Sequence, residues 1–216
     1  MTMDPKSRGL VFPRGRAKTH PAGDLLREYA RVGCPVAIGE NWTTEQMHAA
    51  VERGPHASSR VPDAIAQIQV EAREKEKQGF ATLVKWNDIK DNPPDNLKIS
   101  PLAMIPHKSR KFRAILDLSF RLEMIGCDLP AVNEATEYTA MEAAIDQLGS
   151  VFPRIVEALA TAPENGKPIL FSKMDIKDGF WRMVCAAGEE WNFAYVLPTE
   201  PGGEVILVVP SALQMG

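Results

Sequence analysis

The sequence predicts an α+β fold, and three stretches carry that expectation. A proline-started, highly charged helical pattern runs from SSRVPDA to Gly79. Two β-branched, apolar runs, LKISPLAMIP and KFRAILDLSF, flank the basic connection HKSR. Near the end of the chain WNFAYVL and VILVV face each other across the turn-rich PTEPGGE, the pattern of a β-hairpin.

Taken in order, residues 1–60 mix Pro, Gly and charge. Lys6, Arg8, Arg14, Arg16 and Lys18 stand against Asp4 at the start, so this region is expected to be a basic, partly disordered arm with helix near Ala22 to Arg31 and Thr44 to Arg53. The first strong helix is signalled by Ser58, Ser59, Pro62 and Asp63. Ile65, Ile68 and Ala72 share one face of it, and EAREKEKQ leaves its second half solvated. Asn92, Pro93, Pro94 and Asp95 break the chain before the two strands. Further helices are expected from Met141 to Leu148 and from Pro153 to Ala160, the latter with Ile155, Val156 and Leu159 inward. ENGKP forces a turn, and PILFSKMDI reads as a buried strand ahead of the terminal hairpin.

Composition narrows the class. The 216 residues are 44% hydrophobic and 25% charged, enough apolar material for one domain or two small subdomains with a real core. A net charge of -3 and a pI near 5.9 give no global pull towards nucleic acid, so such a partner has to meet a local basic patch. Cys34, Cys127 and Cys185 are odd in number and lack His at ligand spacing, which argues against a disulfide framework or a zinc site. No apolar run approaches the roughly 20 residues of a membrane span, and the expectation is an intracellular, soluble protein.

Three constellations could carry chemistry. Between Asp95 and Asp117 there is no acidic residue, while Lys98, His107, Lys108, Arg110, Lys111 and Arg113 accumulate. Such a hairpin can neutralise a polyphosphate or a nucleic-acid backbone; it can equally be a solvated edge protected from aggregation by its lysines. Asp175 ends the apolar run ILFSKMD and is followed by Asp178 and Phe180. A carboxylate there can hold a divalent cation, or it can simply cap the following turn. Finally, VVPSALQMG runs a strand into a Pro-Ser turn, where Gly216 would admit a close backbone or base-pair approach; an ordinary turn is the alternative.

In this order the segments resemble the retroelement, retrotransposon-type reverse transcriptases. QVEAREKEKQGF resembles the charged helix leading into the family's fingers. ISPLAMIPHKSRKFRAILDLSF is similar to its two fingers strands, with a Ser-Pro, an Ile-Pro step, a basic turn, an aromatic-Arg pair and a closing Asp. Asn133 stands where the family has Leu-Asn, after an apparent insertion around RLEMIGCDLP. FPRIVEALA is similar to the helix before the catalytic strand, FSKMDIKDGFWRM to motif A, and VVPSALQMG to the opening of motif B. The resemblance covers residues from about 65 to 216. It implies right-hand polymerase fingers over 61–150 and the first half of a ferredoxin-like palm over 151–216.

What the resemblance implies for chemistry is two-metal nucleotidyl transfer of deoxynucleotides onto a primer annealed to an RNA or DNA template, with two Mg2+ ions as cofactor. Asp175 would be the catalytic carboxylate and, with the backbone of Ile176, a metal ligand. Lys108 or Lys111 with Arg113 would meet the incoming triphosphate, above Asp178 and Gly179. The Phe180 ring would exclude a ribose 2′-hydroxyl, a buried strand Phe being the alternative, and Gln214, Met215 and Gly216 would touch the template base pair. The departure is an absence: no Asp-Asp dipeptide occurs, so the family's Tyr/Phe-x-Asp-Asp hairpin is missing, and neither thumb nor RNase H region is recognisable. The expectation is therefore an incomplete, inactive polymerase, with a domesticated, non-catalytic nucleic-acid-binding module as the competing reading.

Overall fold

A computed structural model describes residues 23–36, 39–123, 126–135, 151–165, 170 and 179–214. The chain divides into two compact units, one made of Met1–Ala135 with Asp178–Gly216 and the other of Thr136–Lys177.

The first unit is α+β, built on small antiparallel sheets. Its helices are α1 (Gly23–Val32), α2 (Thr44–Arg53), α3 (Pro62–Lys77) and the single turn α4 (Trp86–Ile89). Its strands are β1 (Ala81–Lys85), β2 (Leu102–Pro106), β3 (Phe112–Leu116), β4 (Tyr195–Val196) and β5 (Ile206–Pro210). Helix α2 starts at a capping box: the Gln46 amide donates to the Thr43 hydroxyl, and the Thr43 amide donates to the Gln46 side chain. Two donors that the helix cannot satisfy internally are thus paired. Helix α3 starts differently, with Pro62 in its first turn and Val61 as an N-cap that offers no side-chain oxygen. Ser58 and Ser59, which the sequence offered as part of that helix start, instead tie a short 3-10 turn to β2. The Ser59 hydroxyl donates to the Leu102 carbonyl (2.7 Å), and the Met104 amide donates to the Ser58 hydroxyl (3.3 Å).

Strand β5 is the centre of a three-stranded sheet, with β1 on one side and β4 on the other, both antiparallel to it. Its alternation explains the core. Val208 and Tyr195 face one layer, with Ala64, Ile68 and Ala72 of α3 and with Leu102, Met104 and Leu116 of the β2–β3 hairpin. Leu207 and Val209, with Val196, face the other layer, against Met47 and Ala50 of α2 and against Trp42, Trp86, Leu97 and Ile99. A period of two sends successive side chains to opposite faces, and both faces of β5 are covered, which is why its sequence is an unbroken apolar run. Each such side chain contributes about 1.5–3 kcal/mol on full burial.

Several expectations meet a different outcome. Helices α1 and α2 fall where helix was expected within the segment read as an arm, but Trp42, Met47 and Ala50 of that segment lie in the core. Strand β1 was not foreseen. Trp191 and Phe193 fall in a 3-10 turn (Glu189–Phe193), so the first arm of the terminal hairpin pairs from Tyr195 onward, through Tyr195, Val196 and the Leu197 amide on the Ile206 carbonyl (2.9 Å). In the second unit the described helix is α5 (Val151–Asn165). Val156 and Leu159 were expected inward, but both are exposed, together with Phe152, while Ile155 is half-buried. Periodicity defines an apolar stripe without naming what covers it. The helix expected over Met141 to Leu148 lies outside the described residues, as does the strand PILFSKMDI apart from Leu170. Among the described residues no helix is long and apolar enough to cross a membrane.

Candidate functional site

The basic hairpin is built locally. Strands β2 and β3 pair from Leu102 opposite Leu116 to Pro106 opposite Phe112. Beyond them the His107 amide donates to the Lys111 carbonyl (3.3 Å), and the Ser109 amide reaches His107 Nδ1 (3.3 Å), which gives the connection its own hydrogen bonds. Gln67 on α3 fixes the hairpin's position. Its side-chain amide donates to the Phe112 carbonyl (2.9 Å) and accepts from the Phe112 amide (3.1 Å). His107, Lys108, Arg110, Lys111 and Arg113 are all exposed. Lys111 is engaged with Asp63 at 2.5 Å, a pair so exposed that it contributes roughly 0–1 kcal/mol. Lys98 does not belong to this patch. It is 4% exposed, and burial pushes its ammonium below the ordinary lysine range.

A second group of expected residues meets at a junction between two distant segments. Gly179 leads into a 3-10 turn (Phe180–Arg182) closed by the Arg182 amide on the Gly179 carbonyl (3.2 Å) and the Met183 amide on the Phe180 carbonyl (3.0 Å). The chain then runs antiparallel to residues 211–213. The Leu213 amide donates to the Met183 carbonyl (2.9 Å), Val184 bridges to Ala212, and the Cys185 amide donates to the Ser211 carbonyl (3.1 Å). Gln214, half-buried, folds its side-chain amide back onto the carbonyls of Ala212 (2.9 Å) and Leu213 (3.1 Å). The Phe180 ring is 50% exposed, which is the outcome opposite to a core strand Phe. Its neighbour Trp181 is held down instead: the ring meets Phe80 edge-on at 5.8 Å, and the Lys75 ammonium lies 4.6 Å from it and 4.8 Å from Phe80.

Helix α3 therefore carries both groups, one near each end. Asp63 and Gln67 hold the hairpin, while Lys75 and the following Phe80 hold the Phe180 turn. From Asp63 to Lys75 the helix rises roughly 18 Å, at about 1.5 Å per residue. Lys108, Lys111 and Arg113 thus form one group, and Gly179, Phe180 and Gln214 another. Asp175, Ile176, Asp178, Met215 and Gly216 lie outside the described residues. Among the described residues no three His, Cys, Asp or Glu side chains converge on a possible metal position.

Sequence reasoning missed two clusters. At the end of β3, Asp117 Oδ2 lies 3.0 Å from His56 Nε2, and the Ser119 amide donates to Asp117 Oδ1 (3.2 Å). The Arg53 guanidinium sits 4.9 Å from the Phe120 ring and donates to the Ile99 carbonyl (2.8 Å). Burial pushes Arg53 down to about 10, against the opposing pull of Asp117, and it remains a cation at neutral pH. These contacts pin the end of α2 to the segments that flank the hairpin, Ile99 ahead of β2 and Asp117 and Phe120 after β3. The other missed cluster is the pairing of Cys34 with Cys185. Comparisons of the chain with protein-family models, with curated proteins and with solved structures find no match.

Proposed function

We propose that this chain carries the fingers and the first palm segment of a retroelement reverse transcriptase, an RNA-directed DNA polymerase, and that it engages a primed RNA or DNA template and deoxynucleoside triphosphates. The reading rests on the order of the motif-like segments, and one juxtaposition supports it most. The end of the motif A-like stretch, at Met183, and the two residues after it run hydrogen-bonded beside the opening of the motif B-like stretch. An exposed aromatic ring on the first and a glutamine on the second suit a site that excludes a 2′-hydroxyl with one wall and contacts a base pair with the other. The basic hairpin adds an anion-binding surface, with Lys108 and Arg110 exposed and Lys111 held by Asp63.

Magnesium belongs to the same proposal, and the residues present do not complete its site. A single carboxylate at Asp175 does not supply the oxygen set that two divalent ions need, and the described acidic side chains do not converge on another. No Asp-Asp pair is available in the sequence either. The purified chain is therefore expected to bind template–primer without extending it. A primer-extension assay with Mg2+ and deoxynucleotides tests this: extension that disappears in Asp175→Asn contradicts the expectation of inactivity. The exposed basic hairpin, which needs no metal site to meet a phosphate backbone, also fits a second reading, a nucleic-acid-binding module without catalysis, which predicts the same binding with no preference for a primed end over a plain single strand.

A further inference from the structure

Cys34 and Cys185, far apart in sequence, are direct partners in a parallel β-bridge. The Cys34 amide donates to the Val184 carbonyl (2.7 Å), and the Ala186 amide donates to the Cys34 carbonyl (2.7 Å), so the backbone of Cys34 is clamped to both neighbours of Cys185. Bridge partners hold their backbones at the strand spacing, about 4.8 Å. That lies within the roughly 4.4–6.8 Å Cα separation over which disulfides form. Gly33 makes the approach possible. Its φ is +89°, and a Cβ at this position would collide with the Cys185 carbonyl. Both thiols are free and buried.

We propose that Cys34 and Cys185 form a redox-sensitive dithiol, which a low-molecular-weight disulfide such as glutathione disulfide converts into an intrachain cross-link. The thiolate of one cysteine attacks the glutathione disulfide, forming a mixed disulfide and releasing one glutathione. The thiolate of the second cysteine then displaces the other glutathione. Two protein thiols are oxidised to one disulfide, one glutathione disulfide is reduced to two thiols, and the two protons end on the glutathiones. Burial pushes the Cys185 thiol up to about 12, with Cys34, Glu190 and Glu189 adding to the effect, and pushes Cys34 up as well. The reaction is accordingly slow in the closed state and proceeds through local opening of the segment after α1.

The cross-link would attach that segment covalently to the junction. Cys185 already bonds to Ser211, and Met183 to Leu213, so Cys34 supplies a third strand to the ladder beside Phe180 and Gln214. The inference rests on this ladder alone and does not depend on the polymerase reading.

The test uses the full chain with Cys127→Ser, which leaves only the pair, incubated with glutathione disulfide in mildly alkaline buffer and mapped by mass spectrometry without reduction. The expected product is one cross-linked peptide pair through Cys34 and Cys185, lighter by two hydrogens, reversed by a thiol reductant and absent in Cys34→Ala. The oxidised chain should also melt at a higher temperature than the reduced one, since closing so long a loop constrains the unfolded state. A persistent glutathione adduct on either cysteine, disulfide-linked dimers, or two unmodified thiols even in sub-denaturing urea would each overturn the proposal.

Discussion

The β2–β3 hairpin and the β5 junction are both antiparallel, yet they are held by opposite means. The hairpin closes on itself through neighbouring residues and presents exposed cations at its tip, one of them in a weak surface pair. The junction gathers residues 33–34, 79–85, 183–185 and 206–213, which meet through backbone hydrogen bonds and a buried apolar run. Charge at the tip is therefore separable from stability, whereas the buried side chains of the junction are not. An exposed basic tip and a buried structural seam occupy different parts of one unit.

The largest expected effect lies in the seam. Leu207→Ala removes a fully buried side chain from the central strand and should cost about 2–5 kcal/mol in urea unfolding. Gly33→Ala should follow, losing about 1–2 kcal/mol for the left-handed backbone alone and more from the collision with Cys185. Alkaline pH probes the same region. Burial raises Tyr195, with Glu71 adding to the effect, and raises Cys185 to about 12. Folded values above the unfolded ones mean that this stability is complete below the ordinary cysteine value of 9.0 and is lost as pH rises through and beyond it. A pH series of melting temperatures should fall on that limb, and less steeply in Tyr195→Phe. Smallest of all, Lys108→Ala and Arg110→Ala should change stability by no more than about 0.5 kcal/mol. A large loss at the tip, or none at Leu207, would erase the contrast.

How much of this was legible in the sequence follows the same division. The hairpin was readable because its signals are local: two apolar runs, a short basic connection and no acid between Asp95 and Asp117. Helices α2 and α3 were readable from periodicity and start signals. Strand β1 was not, since ATLVK is short and half-exposed and finds its partner only in β5, a pairing fixed by the tertiary fold. The burial of Lys98 was equally hidden, because its neighbours Leu97 and Ile99 carry it into the core. For the candidate site, the residue types were legible and their grouping was not. No spacing rule says that Lys75 will hold Trp181, or that Cys34 will meet Cys185.

The proposed function requires this acidic chain to bind primed template through the exposed cations of the hairpin tip. Fluorescence anisotropy of a labelled primer–template duplex, titrated with the chain at several salt concentrations, tests it most directly. The expected result is binding that weakens steeply with salt, with the slope of log affinity against log salt reduced by about 1 for each of Lys108→Ala and Arg110→Ala. No binding at low salt, or binding indifferent to both substitutions, would contradict it.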